Sequence, residues 1–134
     1  MNELGARVRL VKGAYKEPAT VAHQRKAEVD DAFRRLAHVL LDAGTYPAMA
    51  THDETMIEDL RAYALQRSIA AGRFEFQMLY GIRRDLQASL LANGYLMRIY
   101  IPFGRQWFPY FMRRLGERPA NVTFVIRALL GERS

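Results

Sequence analysis

Phe74-Glu75-Phe76-Gln77-Met78-Leu79-Tyr80-Gly81 and, fifteen residues further on, Leu96-Met97-Arg98-Ile99-Tyr100-Ile101-Pro102 decide the fold. Each is a short apolar burst with a period of two, stopped by Gly or Pro, and between them Leu86, Leu90 and Leu91 recur at helical spacing before Asn93-Gly94. The same unit is visible upstream. Arg7 to Val11 alternates as a strand and stops at Lys12-Gly13; Pro18 closes the following loop. A helix is then predicted from about Val21 to Ala43, with Val29, Phe33, Leu36, Val39 and Leu40 on its apolar stripe and Gly44 at its end. Pro47 to Thr51 predicts a second strand. Asp53 is placed to cap a helix carrying Met56, Ile57, Leu60, Ala64 and Leu65 and ending near Gly72. Beyond the fourth strand, helices are predicted from Gln106 to Glu117 and from Asn121 through Leu130.

Strand-helix repeated four times, with crossovers long enough to be right-handed, predicts an α/β fold of parallel (βα) units. Ligands in such sheets gather at the carboxyl ends of the strands, so the informative loops begin at Lys12, Thr51, Leu79 and Ile101. Alternation sorts the side chains. Val8, Leu10, Phe74, Phe76, Met78, Met97, Ile99 and Ile101 share a greasy face; Arg7, Arg9, Val11, Glu75, Gln77, Leu79, Arg98 and Tyr100 share the other. An open sheet covered by helices on both sides would be apolar on both. Polar residues on one face of parallel strands suit the inside of a barrel near its mouth, and four units are half of a (βα)8 TIM-type barrel, to which a C-terminal helix is added.

Composition sets the limits. The 134 residues are 50% hydrophobic and 25% charged, which a packed core can use and a disordered chain cannot. The absence of Cys excludes disulfides, thiolate catalysis and the usual zinc-ribbon or iron–sulfur ligands. His23 and His38 have no ligand-like spacing to His52, so no metal is expected. Neither a GxGxxG nor a GxxxxGK[ST] loop is present. No stretch approaches the roughly 20 apolar residues of a spanning helix, and Met1 to Leu10 has no apolar signal core, so a soluble cytoplasmic protein is expected. Seventeen of the 20 basic residues are Arg, within a net charge of +6. A GC-rich genome explains that bias, and Arg also suits a carboxylate or phosphate ligand. The Arg are spread over all segments and several face inward, which argues against a nucleic-acid partner.

Four segments at one predicted sheet edge carry a more specific signal. They are Arg9-Leu10-Val11-Lys12-Gly13-Ala14-Tyr15; Ala50-Thr51-His52; Phe74 to Gly81; and Tyr100-Ile101-Pro102-Phe103-Gly104 followed by Tyr110 and by Arg113-Arg114-Leu115-Gly116-Glu117-Arg118-Pro119-Ala120-Asn121. In order and spacing they resemble FAD-dependent proline dehydrogenase over nearly the whole chain. The part matched is the C-terminal half of that enzyme's barrel, strands five to eight and the final helices, so residues 1–134 are expected to be one half with the N-terminal half absent.

The resemblance implies roles for particular residues. Arg113 and Arg114 would clamp the proline carboxylate with Glu117, one turn on, as their partner. Arg-Arg alone is uninformative, since Arg34-Arg35 and Arg83-Arg84 repeat it. Tyr100 and Leu79 would pack against the substrate ring, where a strand Tyr or Leu is otherwise simply core. Arg9 would lie beside flavin N5 and stabilise the reduced, anionic flavin; the competing reading pairs it with Glu75. Val11, Lys12, Gly13, Ala14, Tyr15 and Lys26 would hold the FAD backbone and phosphates, with Thr51, His52, Gln77, Met78 and Glu117 also on the cofactor. Gln24 stands where a small hydroxyl residue belongs in the family. An aromatic stripe of Trp107, Phe108, Tyr110 and Phe111 would cover the pocket or serve as core.

The reaction implied is oxidation of L-proline to Δ1-pyrroline-5-carboxylate in proline catabolism, with electrons leaving to a quinone. The family's further lysine and acidic residue belong to earlier strands. A half-barrel needs a separately encoded N-terminal half or self-association to close its edges. The alternatives are an inactive truncated fragment and an unrelated α/β module binding an anionic metabolite. Family members work at a membrane surface, and the one candidate contact, Val122, Val125, Ile126, Leu129 and Leu130, also reads as a packing face.

Overall fold

The computed structural model describes residues 4–12, 17–105, 107 and 109. The chain divides into two compact units, Met1–Tyr100 and Ile101–Ser134. In the first, the order is β1 (Arg9–Val11), α1 (Lys26–Ala43), β2 (Ala48–Ala50), α2 (Glu54–Gln66), β3 (Glu75–Leu79), α3 (Arg84–Ala92) and β4 (Leu96–Tyr100), with one 3-10 turn at Ala71–Arg73. The four strands lie in the order β1-β2-β3-β4, every pair parallel. The expected parallel (βα) architecture is therefore present, and among the described residues β1 and β4 each pair on one side only. The predicted helices at Gln106 to Glu117 and Asn121 to Leu130 lie outside the described residues.

One face of the sheet is packed under the helices. Phe33, Ala37, Leu40 and Leu41 of α1, Met56, Ile57, Leu60 and Ala64 of α2 and Leu86 and Leu90 of α3 form a single core with Met49, Phe74, Phe76 and Met78; Val8, Leu10 and Met97 press on its edge. At about 25 cal/mol per Å² of apolar area, a side chain such as Phe76 or Leu60 contributes roughly 2–3 kcal/mol by this burial. The predicted stripe on α1 needs correcting, because Leu36 and Val39 are exposed and the buried positions are 33, 37, 40 and 41. That set follows i, i+4, i+7, i+8, and Ala37 is the member that an Ala-rich sequence conceals. Leu65 and Leu91 also point outward.

Boundaries shift for local reasons. α1 begins at Lys26, five residues later than predicted: Val21 and Ala22 turn back on the Pro18 carbonyl, and Arg25 and Glu28 close a capping box. α2 stops at Gln66, well short of Gly72, where Ser68 takes a left-handed φ of 55° and Ile69 N–H reaches back to the Ala64 carbonyl. Asp53 occupies the N-cap position of α2, but its carboxylate accepts from Lys12 Nζ at 2.6 Å rather than from the helix's own amides.

Gly44 ends α1 as expected, for a reason other than conformational freedom. Its φ is −80°, and a Cβ there would stand 2.5 Å from the Leu40 carbonyl oxygen, the atom that accepts its own N–H at 2.7 Å. Gly94, at φ +79°, makes the tight turn between α3 and β4.

Candidate active site

The face of the sheet opposite the helices is polar in the middle. In parallel register Arg9, Ala48 and Glu75 stand side by side, as do Ala50, Gln77 and Arg98, with Leu79 beside Tyr100. β1 and β3 are two strands apart, roughly 9.5 Å, so their side chains ordinarily do not meet. They meet here because β2 contributes only Ala48 and Ala50 to this face. Arg9 Nε crosses above those methyl groups and donates to Gln77 Oε1 at 2.6 Å, and its guanidinium lies 4.9 Å from the centre of the Tyr100 ring on β4.

Glu75 is the hub beneath. Its carboxylate accepts from Arg98 Nε at 2.6 Å and Nη2 at 2.9 Å, from Gln77 Nε2 at 2.6 Å and from Tyr46 Oη at 3.2 Å. The residue is only 5% exposed. The Arg98 hydrogen bonds hold its carboxyl below the usual carboxylate range against the opposing effect of burial, with Gln77 and Tyr46 assisting. The competing reading of Arg9 is thus corrected: Glu75 pairs with Arg98, whose fork fits it bidentately, and Arg9 takes the neutral amide of Gln77. Tyr46 has a left-handed φ of 51° under the Arg7 guanidinium; burial, then the Glu75 charge, pushes its phenol up.

A second cluster sits at the strand ends. Lys12, following β1 and 8% exposed, is ion-paired with Asp30 of α1 and with Asp53 before α2. Asp30 also receives Lys26 Nζ at 2.5 Å, and Lys26 itself is 74% exposed. Burial would raise the Asp30 carboxyl, and the hydrogen bonds from the two lysines outweigh it, leaving it lowered. Two cations therefore face two carboxylates, and this neutral cluster ties the end of β1 to both helices. Sequence reasoning missed the pairing of Asp30 with Lys12. Its signal was an acidic residue on the buried side of an amphipathic helix, one turn after Lys26.

Thr51 is buried and its Oγ1 accepts from the Asp53 amide at 3.1 Å. His52 Nε2 accepts from the Leu79 amide at 2.9 Å, which ties the ends of β2 and β3 and leaves the ring proton on Nδ1. Leu79 is buried on the polar face. Met78, expected at the cofactor, turns its side chain into the helix-side core, so only its main chain is available at the strand end. Val11 is exposed. Gly13, Ala14, Tyr15, Arg113, Arg114 and Glu117 lie outside the described residues. Among the described residues no group of acidic or histidine side chains is placed to hold a metal, and no helix is long and apolar enough to cross a membrane. A cavity of about 450 Å³ lined by Asp42, Gly44, Tyr46 and Arg73 opens on the loops entering β2 and β3, at the other end of the strands.

A parallel α/β sheet with one greasy, helix-covered face and cationic and amide side chains on the other is the architecture of a (βα)-barrel ligand site. The sequence matches the family described as Proline dehydrogenase over residues 2–127, and the chain belongs to that family. It is 52% identical over 130 residues to the Proline dehydrogenase of Deinococcus radiodurans, covering 97% of this chain and 42% of that protein. To Proline dehydrogenase 1 of Bacillus subtilis (strain 168) it is 48% identical, covering 97% and 43%. Among solved structures it resembles proline utilization A from Bdellovibrio bacteriovorus inactivated by N-propargylglycine, with a TM-score of 0.72 and 33% identity over 80% of this chain and 13% of that one. The chain thus spans about two fifths of the curated relatives it matches.

Proposed function

We propose that this chain is the C-terminal half of a FAD-dependent proline dehydrogenase barrel, which oxidises L-proline to Δ1-pyrroline-5-carboxylate and passes the electrons to a quinone once the other strand-helix units complete it. The observation that carries the reading is Arg9, held across the sheet by Gln77 and over Tyr100 on the polar face opposite the helices. The residues fit the ring end of a flavin, because Arg9 brings guanidinium donors to that face and Gln77 holds it there. At the phosphate end Lys26 is exposed and able to turn to an anion, whereas the charge of Lys12 is already met by Asp30 and Asp53. Lys12 therefore ties the end of β1 to Asp30 and Asp53 more than it neutralises phosphate.

When bound, the flavin supplies the hydride acceptor. The chain's own residues orient the substrate. Arg113 and Arg114, braced by Glu117, hold the proline carboxylate through bidentate contacts, and Tyr100 and Leu79 pack the ring so that its carbon next to nitrogen faces the cofactor. Arg9 keeps a fixed cation where negative charge develops, which needs no reorganisation during the reaction. Thr51, His52, Val11 and the main chain at Met78 complete the cofactor's rim.

The test is to purify the chain with and without a separately produced N-terminal half of a relative, record flavin absorption, and add L-proline with a dye acceptor. Bleaching of bound flavin by proline is the expected result, and a colourless complex that reduces no dye overturns the reading. In the active assembly, Arg113→Ala and Arg114→Ala should each weaken proline binding by about 2–4 kcal/mol while the flavin stays bound. Unchanged proline titrations would remove the clamp.

A further inference from the structure

We propose that Glu75 is a positioning residue for Arg9, acting through the side-chain amide of Gln77. The chemistry of the three groups leaves one arrangement. A carboxylate only accepts hydrogen bonds and a guanidinium only donates them, so an amide lying between the two must turn its NH₂ to Glu75 and its oxygen to Arg9. The distances are 2.6 Å on each side, Gln77 Nε2 to Glu75 Oε1 and Arg9 Nε to Gln77 Oε1. The orientation of Gln77 therefore follows from charge and is independent of how its oxygen and nitrogen are distinguished.

Glu75 is built for this task. Arg98 on β4 holds it with two hydrogen bonds and Tyr46, from the loop before β2, adds a third, so its carboxylate is anchored from two elements and cannot follow Gln77 if the amide turns. The charged and titratable groups facing this cluster are Arg7, over the Tyr46 ring, Arg9 from β1, Tyr46 from the β2 approach, and Arg98 and Tyr100 from β4. Without the negative charge at Glu75 the amide is anchored on its Arg9 side alone and is free to swing, so the guanidinium loses the fixed acceptor that holds it in place over Tyr100. That this matters for catalysis rests on the function proposed for Arg9 above; the geometric claim does not.

The experiment reads Arg9 directly and needs neither flavin nor turnover. In the 134-residue chain the Arg9 Nε–H resonance, assigned by its absence from Arg9→Lys, is expected outside the cluster of solvated arginines. In Glu75→Gln it should move into that cluster and exchange with water about tenfold faster, and Gln77→Met should do the same. A folded Glu75→Gln protein that keeps the wild-type Arg9 resonance overturns the proposal. If that variant does not fold, acidification of the wild-type chain decides: the Arg9 resonance should be lost in the same step in which the Glu75 carboxyl carbon titrates. Survival of the resonance beyond that step overturns the proposal. Failure of the chain to respond to proline bears on the proposed function and leaves this result as it stands.

Discussion

Among single residues, the smallest on the polar face have the largest consequence. Ala48 and Ala50 are buried between β1 and β3, and their lack of bulk lets Arg9 reach Gln77. Ala50→Leu would fill the path. The expected cost is about 1–3 kcal/mol of stability from overpacking, together with loss of the Arg9 contact, measured by denaturant unfolding and by the Arg9 side-chain resonance; an unperturbed resonance would show that the crossing has other room. Glu75 carries a pH signature. Its carboxyl is lowered on folding, chiefly by Arg98, so the ionised group stabilises the fold above the unfolded carboxylate value of about 4.3. That stabilisation is lost as pH falls through the lower folded value. Unfolding curves between pH 7 and pH 3 should fall less steeply for Glu75→Gln than for the wild type. Asp30, also lowered, retains part of the acid slope in that variant.

At the scale of elements, α1 is the instructive case. Its existence and its end at Gly44 are legible, but its start and its buried face are not. The start is set by a turn on Pro18 and by the Arg25–Glu28 box, and Arg is a poor sequence marker of a cap. The face is set partly by Ala37 and by Asp30, which a reading of large apolar side chains passes over. Strand alternation, by contrast, sorted both faces of β3 correctly, because Phe, Met, Gln and Glu differ strongly and a period of two allows only one assignment; on β4 it placed Met97 against the core, while Ile99 and Ile101, expected on the same greasy face, are exposed. The partners within the polar face were not legible: choosing Gln77 over Glu75 for Arg9 needs the register of three strands at once. Gly44→Ala tests the end of α1. Its Cβ would press on the Leu40 carbonyl, a backbone atom that cannot move aside, so a loss of about 1–3 kcal/mol is expected by thermal or denaturant unfolding. Gly44 has an ordinary negative φ, so a neutral result would mean that the α1 terminus yields.

Across the whole molecule the sheet poses a question of completion. Four parallel strands with a polar face are stable as part of a closed barrel, where both edges are paired and the polar layer is shared around a ring. Here β1 and β4 each pair on one side among the described residues, and Arg98 lies 61% exposed although it carries the ion pair that anchors Glu75. Solvent weakens this pair on its Arg98 side, so the network around Arg9 should gain order when further strands cover it. Purified alone, the chain is expected to associate as its concentration rises, seen by sedimentation velocity. Addition of a complementary N-terminal half should convert that mixture to a one-to-one complex, slow exchange at the Arg98 and Arg9 Nε–H groups and bring in flavin absorption together. Flavin bound tightly by the unassociated chain would instead place the whole cofactor site within these four units. A one-to-one complex with unprotected arginines would show that the added strands do not close over the polar face.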